Sequence, residues 1–137
     1  MSNISYTGKS DQGKQRTNNE DANIAQIIWD VNHVLGVAID GVGGYDGGER
    51  AAEIAKENIV AYLRRHPNGE RLDLLKQAVV EANNKIEDER QTKKKFPNMA
   101  CVLTACLVEV EKKRINMVHV GDTRLYQYYN NALMNPI

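Results

Sequence analysis

The chain has 137 residues, with 18 Lys+Arg against 18 Asp+Glu, so its formal net charge is zero. This length fits one domain, and 42% hydrophobic residues are enough to build a buried core, which excludes an intrinsically disordered chain. Without net positive charge the chain lacks the long-range field that attracts nucleic acid or anionic lipid, so we expect neither nucleic acid nor membrane as a partner. The first residues have no signal-peptide pattern, and we expect a cytoplasmic protein.

The two cysteines, Cys101 and Cys106, lie five residues apart in a run of strand-like composition. Side chains alternate between the faces of a strand, so an odd spacing predicts that these thiols point to opposite faces and do not pair. The three histidines, His33, His66 and His119, are far apart in sequence. The sequence therefore gives no spacing typical of a zinc site.

Two β-branched, apolar runs, 24–29 and 34–39, are separated by turn-prone residues 30–32 and predict a pair of strands. The second run ends at Asp40, directly before a segment in which five of the eight residues from 41 to 48 are glycine. Because glycine is not held to the usual φ range, this segment predicts a sharp loop beside a carboxylate.

Apolar residues at spacings of three and four predict an amphipathic helix after the glycine segment, extending to about Arg65. Asp46 and Glu49 are predicted to form a capping pair at its start. The turn of residues 66–69 ends this helix, and an apolar stripe over 72–86 predicts a second one.

Three further strands are predicted at 99–110, 115–120 and 125–129, with turns at 111–114 and 130–131. The predicted order along the chain is strands, then two helices, then strands, and it lacks the alternation of βαβ units. This order favours an α+β domain in which antiparallel strands pack under a helix pair, with a doubly wound parallel fold as the alternative.

Two polar clusters have the composition of a metal site. Arg16, Glu20 and Asp21 lie in a loop before the first strand, and Asp40 with Gly41 opens the glycine segment. Carboxylate and carbonyl oxygens directed at one centre suit a hard divalent cation such as Mg²⁺ or Mn²⁺. Each cluster alone also has an ordinary explanation, as a solvated loop or as a turn between strand and helix.

The glycine segment fails the tests for other ligands. A dinucleotide fingerprint needs Gly where Asp46 stands, and a Walker loop needs Lys where Glu49 stands. An EF-hand loop needs Asp or Asn at Val42 and Gly44. A third polar cluster, 119–124, interrupts a strand-like run, and a tight turn with a capping aspartate explains it by itself.

Together the three clusters resemble the protein phosphatase 2C family of metal-dependent Ser/Thr phosphatases, in its bacterial form. The matching motifs are Arg16-x-x-Asn19-Glu20-Asp21, Asp40-Gly41-Val42-Gly43-Gly44 with Gly48-Glu49-x-Ala51-Ala52, and Val120-Gly121-Asp122-Thr123-Arg124-Leu125-Tyr126. The resemblance implies a four-layer αββα sandwich of antiparallel sheets flanked by helices, represented here only in part.

The resemblance also implies a site for two Mn²⁺ or Mg²⁺ ions. Asp40 would bridge both ions, and Gly41 would give its carbonyl oxygen to one of them. Glu20 and Asp21 would hold metal-bound waters. In some bacterial members the aspartate that matches Asp122 helps to hold a third ion.

The implied reaction is hydrolysis of phosphoserine and phosphothreonine in a phosphoprotein substrate. A water molecule that bridges two cations loses a proton near neutral pH and is the implied nucleophile. Arg16 would bind the substrate phosphate with its planar guanidinium. His119 is interpreted as a structural residue at a strand end, not as the acid for the leaving group.

The chain departs from the family pattern in three ways. Residues 99–102 read Met-Ala-Cys-Val where the family usually reads Met-Gly-Thr-Thr, and Val42 stands where animal members carry a histidine. The family's domain also continues past the strand that Leu133 begins, and its second half supplies two more aspartates. We therefore expect residues 1–137 to be a single, C-terminally truncated domain with an incomplete metal site.

Two classes of function follow from these expectations. The leading hypothesis is a metal-dependent protein phosphatase. The alternative is a non-catalytic fragment or phosphate-binding module that needs a second chain. An incomplete sandwich leaves strand edges and apolar side chains uncovered, so we expect self-association or binding of a complementing chain. A small nucleotide-binding protein is disfavoured because the nucleotide fingerprints fail.

Overall fold

The computed structural model of the protein describes residues 4–13, 19–42 and 47–134. Two helices and six strands lie within these ranges. In chain order they are β1 (Asp21–Ile28), β2 (Asp30–Val42), α1 (Gly47–Arg65), α2 (Arg71–Lys93), β3 (Ala100–Glu109), β4 (Arg114–Val120), β5 (Gln127–Tyr129) and β6 (Ala132–Met134).

Strands β1 to β4 form one antiparallel sheet in the order of the chain. The antiparallel pairing excludes the doubly wound parallel alternative. The connection between β1 and β2 is tighter than the sequence predicts, because Trp29 takes a left-handed φ of 67°. Residues 30–32, predicted as the turn, form the irregular start of β2, where Asp30 Oδ1 accepts a hydrogen bond from the Asn32 amide at 2.9 Å.

Helices α1 and α2 cover one face of this sheet. Alternate strand residues point towards the helices, as the two-residue period of a strand requires. The core that they form with the helices includes Ile24, Ile28, Leu35, Val37, Ile39, Ala51, Ala55, Ile59, Leu63, Leu75, Ala78, Ala82, Leu103, Ala105 and Leu107. The amphipathic stripes predicted from the sequence are the buried faces of the two helices.

The end of α1 and the start of α2 agree with the turn that the sequence predicts at residues 66–69. α1 ends at Arg65, and α2 begins after Glu70, whose carboxylate accepts hydrogen bonds from two amides of the first turn at 2.8 and 3.2 Å. α2 ends at Lys93, since Lys94 takes a left-handed φ of 54°. Asp46 of the predicted capping pair lies outside the described residues.

An ion pair joins the first turn of α1 to the last turns of α2. Arg50 Nε and Nη2 donate hydrogen bonds to the two carboxylate oxygens of Glu89, each at 2.7 Å. Lys93 Nζ donates a third hydrogen bond to Glu89 at 3.2 Å. The hydrogen bonds from Arg50 lower the pKa of Glu89 from 4.5 to about 2. This pair fixes the start of α1, which begins at Gly47 within the glycine segment.

Strands β5 and β6 form a separate hairpin. Asn130 and Asn131, the predicted turn, both have positive φ, at 50° and 59°, as a two-residue hairpin turn requires. The hairpin exposes apolar side chains, with Tyr128 69% and Leu133 66% accessible. Self-association through such side chains stays a prediction.

One antiparallel sheet beneath two helices, with a hairpin after it, confirms the predicted α+β class; the described residues form one helix layer and one sheet of the four layers that the resemblance implies. Neither described helix combines the length and the apolar character needed to cross a bilayer.

Candidate functional site

Two of the predicted site residues lie directly opposite each other in the sheet. Asp21 is the first residue of β1, and it pairs with Asp40 near the end of β2. Opposed residues of an antiparallel pair project from the same face, with Cβ atoms about 4.5–5.5 Å apart. Since the adjacent Ile39 lies in the helix-covered core, both carboxylates project from the other face.

The carboxylates of Asp21 and Asp40 line one cavity of about 320 Å³. The rest of its wall comes from residues 9–11, from neighbouring positions of β1 and β2, and from Thr123. The pairing of β1 with β2 thus brings Asp21 and Asp40 together. Residues 9–11 and Thr123 complete the solvent-accessible cavity around them.

Glu20 and Gly41 adjoin Asp21 and Asp40 in the chain, but they face the start of α1 and are not in the described wall of this cavity. The Gly41 amide donates a hydrogen bond to the Glu20 carbonyl at 3.0 Å. A Cβ atom at Gly41 would overlap the Gly48 carbonyl oxygen, and one at Gly48 would lie 2.6 Å from Glu20 Oε2. Glycine at both positions therefore lets the helix start approach the Glu20 carboxylate.

The turn after β4 also contributes to the cavity wall, beside residues 9–11 and strands β1 and β2. Gly121 has a φ of 96°, and a Cβ there would overlap the side chain of Val102 on β3. This close approach places Thr123 in the cavity wall. Asp122 is exposed, and the described wall of this cavity includes Thr123 but not Asp122.

A hydrogen-bonded chain of three side chains holds this turn on the sheet. The buried Thr104 Oγ1 lies 2.9 Å from His119 Nδ1 and 2.6 Å from Thr123 Oγ1. Thr104 and His119 are opposite each other on β3 and β4. His119 therefore has the structural contact that its position at a strand end predicts.

Arg16, predicted to bind the substrate phosphate, lies outside the described residues. The same holds for residues 43–46 of the glycine segment.

The oxygen atoms in the cavity wall are of the type that binds a hard divalent cation. The cavity wall includes the carboxylates of Asp11, Asp21 and Asp40 and the oxygen-bearing side chains of Ser10, Asn23 and Thr123, and oxygen ligands are those that Mn²⁺ and Mg²⁺ accept readily. Carboxylates directly opposite each other in a sheet repel, and a cation between them relieves that repulsion. Within the described ranges no group of three or more His, Cys, Asp or Glu side chains is placed to share one ion. Asp21 and Asp40 thus supply two donors of a larger set.

Neither cysteine has the properties of a nucleophile. Cys101 lies opposite Gly41 and Cys106 opposite Gly36, so the two thiols occupy opposite faces, as predicted, and both are free. Burial, together with the charge of Asp40, raises the pKa of Cys101 from 9.0 to about 11. A thiol with that pKa is protonated at neutral pH.

Sequence reasoning did not identify Lys9, Thr104 or Thr123 as parts of this site. The polar Thr104 interrupts an apolar strand, and a buried hydroxyl requires a partner, so that signal was available. Glu109, which interrupts the same strand, accepts a hydrogen bond from Asn116 at 3.1 Å at the other end of the sheet. No sequence signal marks Lys9.

The sequence profile described as "Protein phosphatase 2C" matches residues 7–135. The serine/threonine protein phosphatase PstP of Mycobacterium tuberculosis is 31% identical to this chain over 123 residues, which are 90% of this chain and 22% of PstP.

Solved structures of such phosphatases superpose on the chain. A crystal structure of the M. tuberculosis phosphatase PstP/Ppp has a TM-score of 0.84 at 29% identity, covering 97% of this chain and 53% of that one. The PstP catalytic domain in complex with two manganese ions also has a TM-score of 0.84 at 29% identity, with coverage of 97% and 54%.

The phosphatase MsPP from Mycobacterium smegmatis, in complex with cacodylate, has a TM-score of 0.79 at 26% identity, covering 98% of this chain and 53% of that one. The chain spans about half the length of the solved chains it matches.

Proposed function

The chain belongs to the protein phosphatase 2C family, and from this premise we propose that it acts in the metal-dependent hydrolysis of phosphoserine and phosphothreonine in proteins. The observation that carries the proposal is the pairing of Asp21 with Asp40 in the sheet, at the wall of one cavity. A relative of the same fold binds two manganese ions, and the paired carboxylates supply donors of the right chemistry.

In this proposal Asp40 and the Gly41 carbonyl would hold the ions directly, with Asp40 the residue shared between them. Glu20 and Asp21 act through water, and Asp122 contributes to a third ion. Mn²⁺ or Mg²⁺ held there would lower the pKa of a bound water, so that its deprotonated form could attack phosphorus at neutral pH. Asp40 is half-buried on β2, which pairs with β1 on one side and β3 on the other, so the backbone that carries its carboxylate is fixed by the sheet.

The remaining groups of the chain bind and orient the substrate. Arg16 is proposed to hold two phosphate oxygens with its guanidinium and so to align phosphorus for in-line attack. With Val42 in the position of the animal histidine, solvent is the proposed proton donor to the leaving serine or threonine oxygen.

A non-catalytic phosphate-binding module is the second candidate. It is supported by the absence, within the described ranges, of any group of three potential ligand side chains around one point. Turnover of p-nitrophenyl phosphate in the presence of Mn²⁺ separates the two candidates, since a binding module takes up metal and phosphate without hydrolysis.

The metal site is tested by calorimetric titration of Mn²⁺ into the wild type and into Asp40→Ala. The substitution removes the residue proposed to touch both ions, so we expect measurable Mn²⁺ binding to be lost. Asp21→Ala should weaken binding less, because Asp21 is proposed to act through water.

Asp88→Ala is the matched control, since Asp88 is an exposed aspartate on α2, and it should bind Mn²⁺ like the wild type. An unchanged Mn²⁺ affinity in Asp40→Ala would overturn the site assignment.

A further inference from the structure

A cationic side chain stands in the wall of the acidic cavity. Lys9 lines the same cavity as Asp21 and Asp40. We propose that Lys9 is a phosphate-binding residue that selects a phosphate monoester at this site. The inference rests on the proposed function, because it assumes that cations neutralise the two carboxylates.

The chain is anchored on both sides of Lys9, on one side to β1 and on the other to Asn19, which precedes β1. On one side, a Cβ atom at Gly8 would overlap Asn23 Oδ1 of β1, so the backbone there lies directly on the strand. On the other side, Asn19 Nδ2 donates a hydrogen bond to Ser10 Oγ at 2.6 Å. Lys9 is thus carried by a segment anchored on both sides.

Asn19 connects this segment to the site itself. Its amide oxygen accepts a hydrogen bond from the Asp21 amide at 3.0 Å, while its amide nitrogen binds Ser10. One side chain therefore sets the position of the segment that carries Lys9 relative to the first carboxylate of the site.

The charge of Lys9 is available to a ligand. Towards the described residues, its ammonium makes no ion pair within 4.0 Å and no hydrogen bond. A phosphate monoester brings up to two negative charges into a cavity whose wall already holds three aspartates, Asp11, Asp21 and Asp40. A flexible ammonium with three donors suits phosphate oxygens at such a place.

An ordinary explanation predicts a different result. If Lys9 only offsets the negative charge of these aspartates, or only packs against the sheet, phosphate affinity does not depend on its charge. If Lys9 binds phosphate, its removal weakens phosphate binding, whereas Mn²⁺ binding stays equal or becomes tighter because a nearby positive charge is gone. In that case the phosphate affinity falls, while the Mn²⁺ affinity rises or stays unchanged.

The experiment measures both affinities by calorimetry in wild type, Lys9→Met and Lys9→Arg. Mn²⁺ is titrated first, and inorganic phosphate is then titrated into the Mn²⁺-loaded protein. We expect Lys9→Met to weaken phosphate binding about fivefold without weakening Mn²⁺ binding, and Lys9→Arg to restore it. Lys56→Met, at an exposed lysine in the middle of α1, should match the wild type in both titrations.

Every other outcome overturns the inference and shows whether the role of Lys9 alone or the proposed function as well has failed. Equal phosphate affinity in Lys9→Met and wild type, or a parallel loss of Mn²⁺ and phosphate affinity, removes Lys9 from phosphate binding and leaves the metal site standing. Mn²⁺ binding without phosphate binding in the wild type has the same meaning. A wild type that binds no Mn²⁺ overturns the proposed function, and the role of Lys9 with it.

Discussion

Alternate residues of the same strands build two different faces of the four-stranded sheet. On the helix side, Leu35 and Leu107 lie opposite each other and are completely buried. On the other side, the next pair is Gly36 with Cys106, and these small residues form the floor of a groove of about 710 Å³. The first face is a packed apolar layer, whereas the second has room above it.

The polar residues of the site belong to the second face. Asp21 and Asp40 form one row across the strands, and Thr104 with His119 belongs to the next. A helix-covered face could not accept such groups without burying charge, which is costly. The comparison indicates that the helix side provides most of the stability and that the open side provides the chemistry.

The largest expected effect tests this division within a single strand. Leu107 and Val108 are neighbours on β3 that point to opposite faces. Leu107→Ala should lower the free energy of unfolding by about 3–4 kcal/mol, because it opens a cavity under the helices. Val108→Ala should lower it by only about 1 kcal/mol. Urea unfolding measures both, and equal losses would contradict the division.

The next effect concerns the layer of helices. Glu89→Gln should cost about 1–3 kcal/mol at neutral pH, because Arg50 loses the carboxylate that accepts two of its hydrogen bonds and, among the described residues, keeps only its ion pair with Glu53 at 3.2 Å. The folded-state pKa of Glu89 lies at about 2, below its ordinary 4.5. The stabilisation is therefore complete above about pH 4.5 and is lost as the pH falls towards 2.

Unfolding of Glu89→Gln and wild type by urea at several pH values measures this difference. Glu87→Gln is the control, since Glu87 bonds Arg90 within α2 on the exposed surface, and it should change stability by less than about 0.5 kcal/mol. A stability difference between Glu89→Gln and wild type that persists unchanged from pH 7 to pH 2.5 would exclude the ion pair as its source.

The smallest effect concerns the open face. Thr104→Val keeps the shape of the side chain but removes the hydroxyl that contacts His119 and Thr123. We expect a loss of about 1–2 kcal/mol in the free energy of unfolding, because both partners lose a hydrogen bond. Thr104→Ser should retain most of the stability.

Thr92→Val serves as the comparison for Thr104→Val. The Thr92 hydroxyl donates a hydrogen bond to the Asp88 carbonyl at 2.7 Å on the exposed part of α2, and its loss should be worth less than about 0.5 kcal/mol. If Thr104→Val is as stable as the wild type, the three-residue chain does not hold the turn after β4.

Local patterns predicted the elements of this protein well. The apolar stripes after the glycine segment predicted both helices, and the Asn130-Asn131 pair predicted the hairpin turn, because these signals depend on residues a few positions apart. Strand ends were less exact. β5 begins at Gln127, two residues after the predicted start, since pairing with β6 rather than composition sets the end of a strand.

The sequence by itself also placed Asp40 and Gly41 at a strand end and grouped them with Glu20, Asp21 and Asp122 through the family motifs. Only the tertiary structure decided that Asp21 lies opposite Asp40, because a shift of one residue in strand pairing would turn one carboxylate to the helix side.

The same applies to the contacts of Thr104 with Thr123 and to the presence of Lys9 in the cavity wall. These residues are separated by long stretches of sequence, and no periodic pattern connects them. Their proximity follows from strand register, from the close approach that glycine permits at Gly8 and Gly121, and from hydrogen bonds that form only once the sheet has assembled.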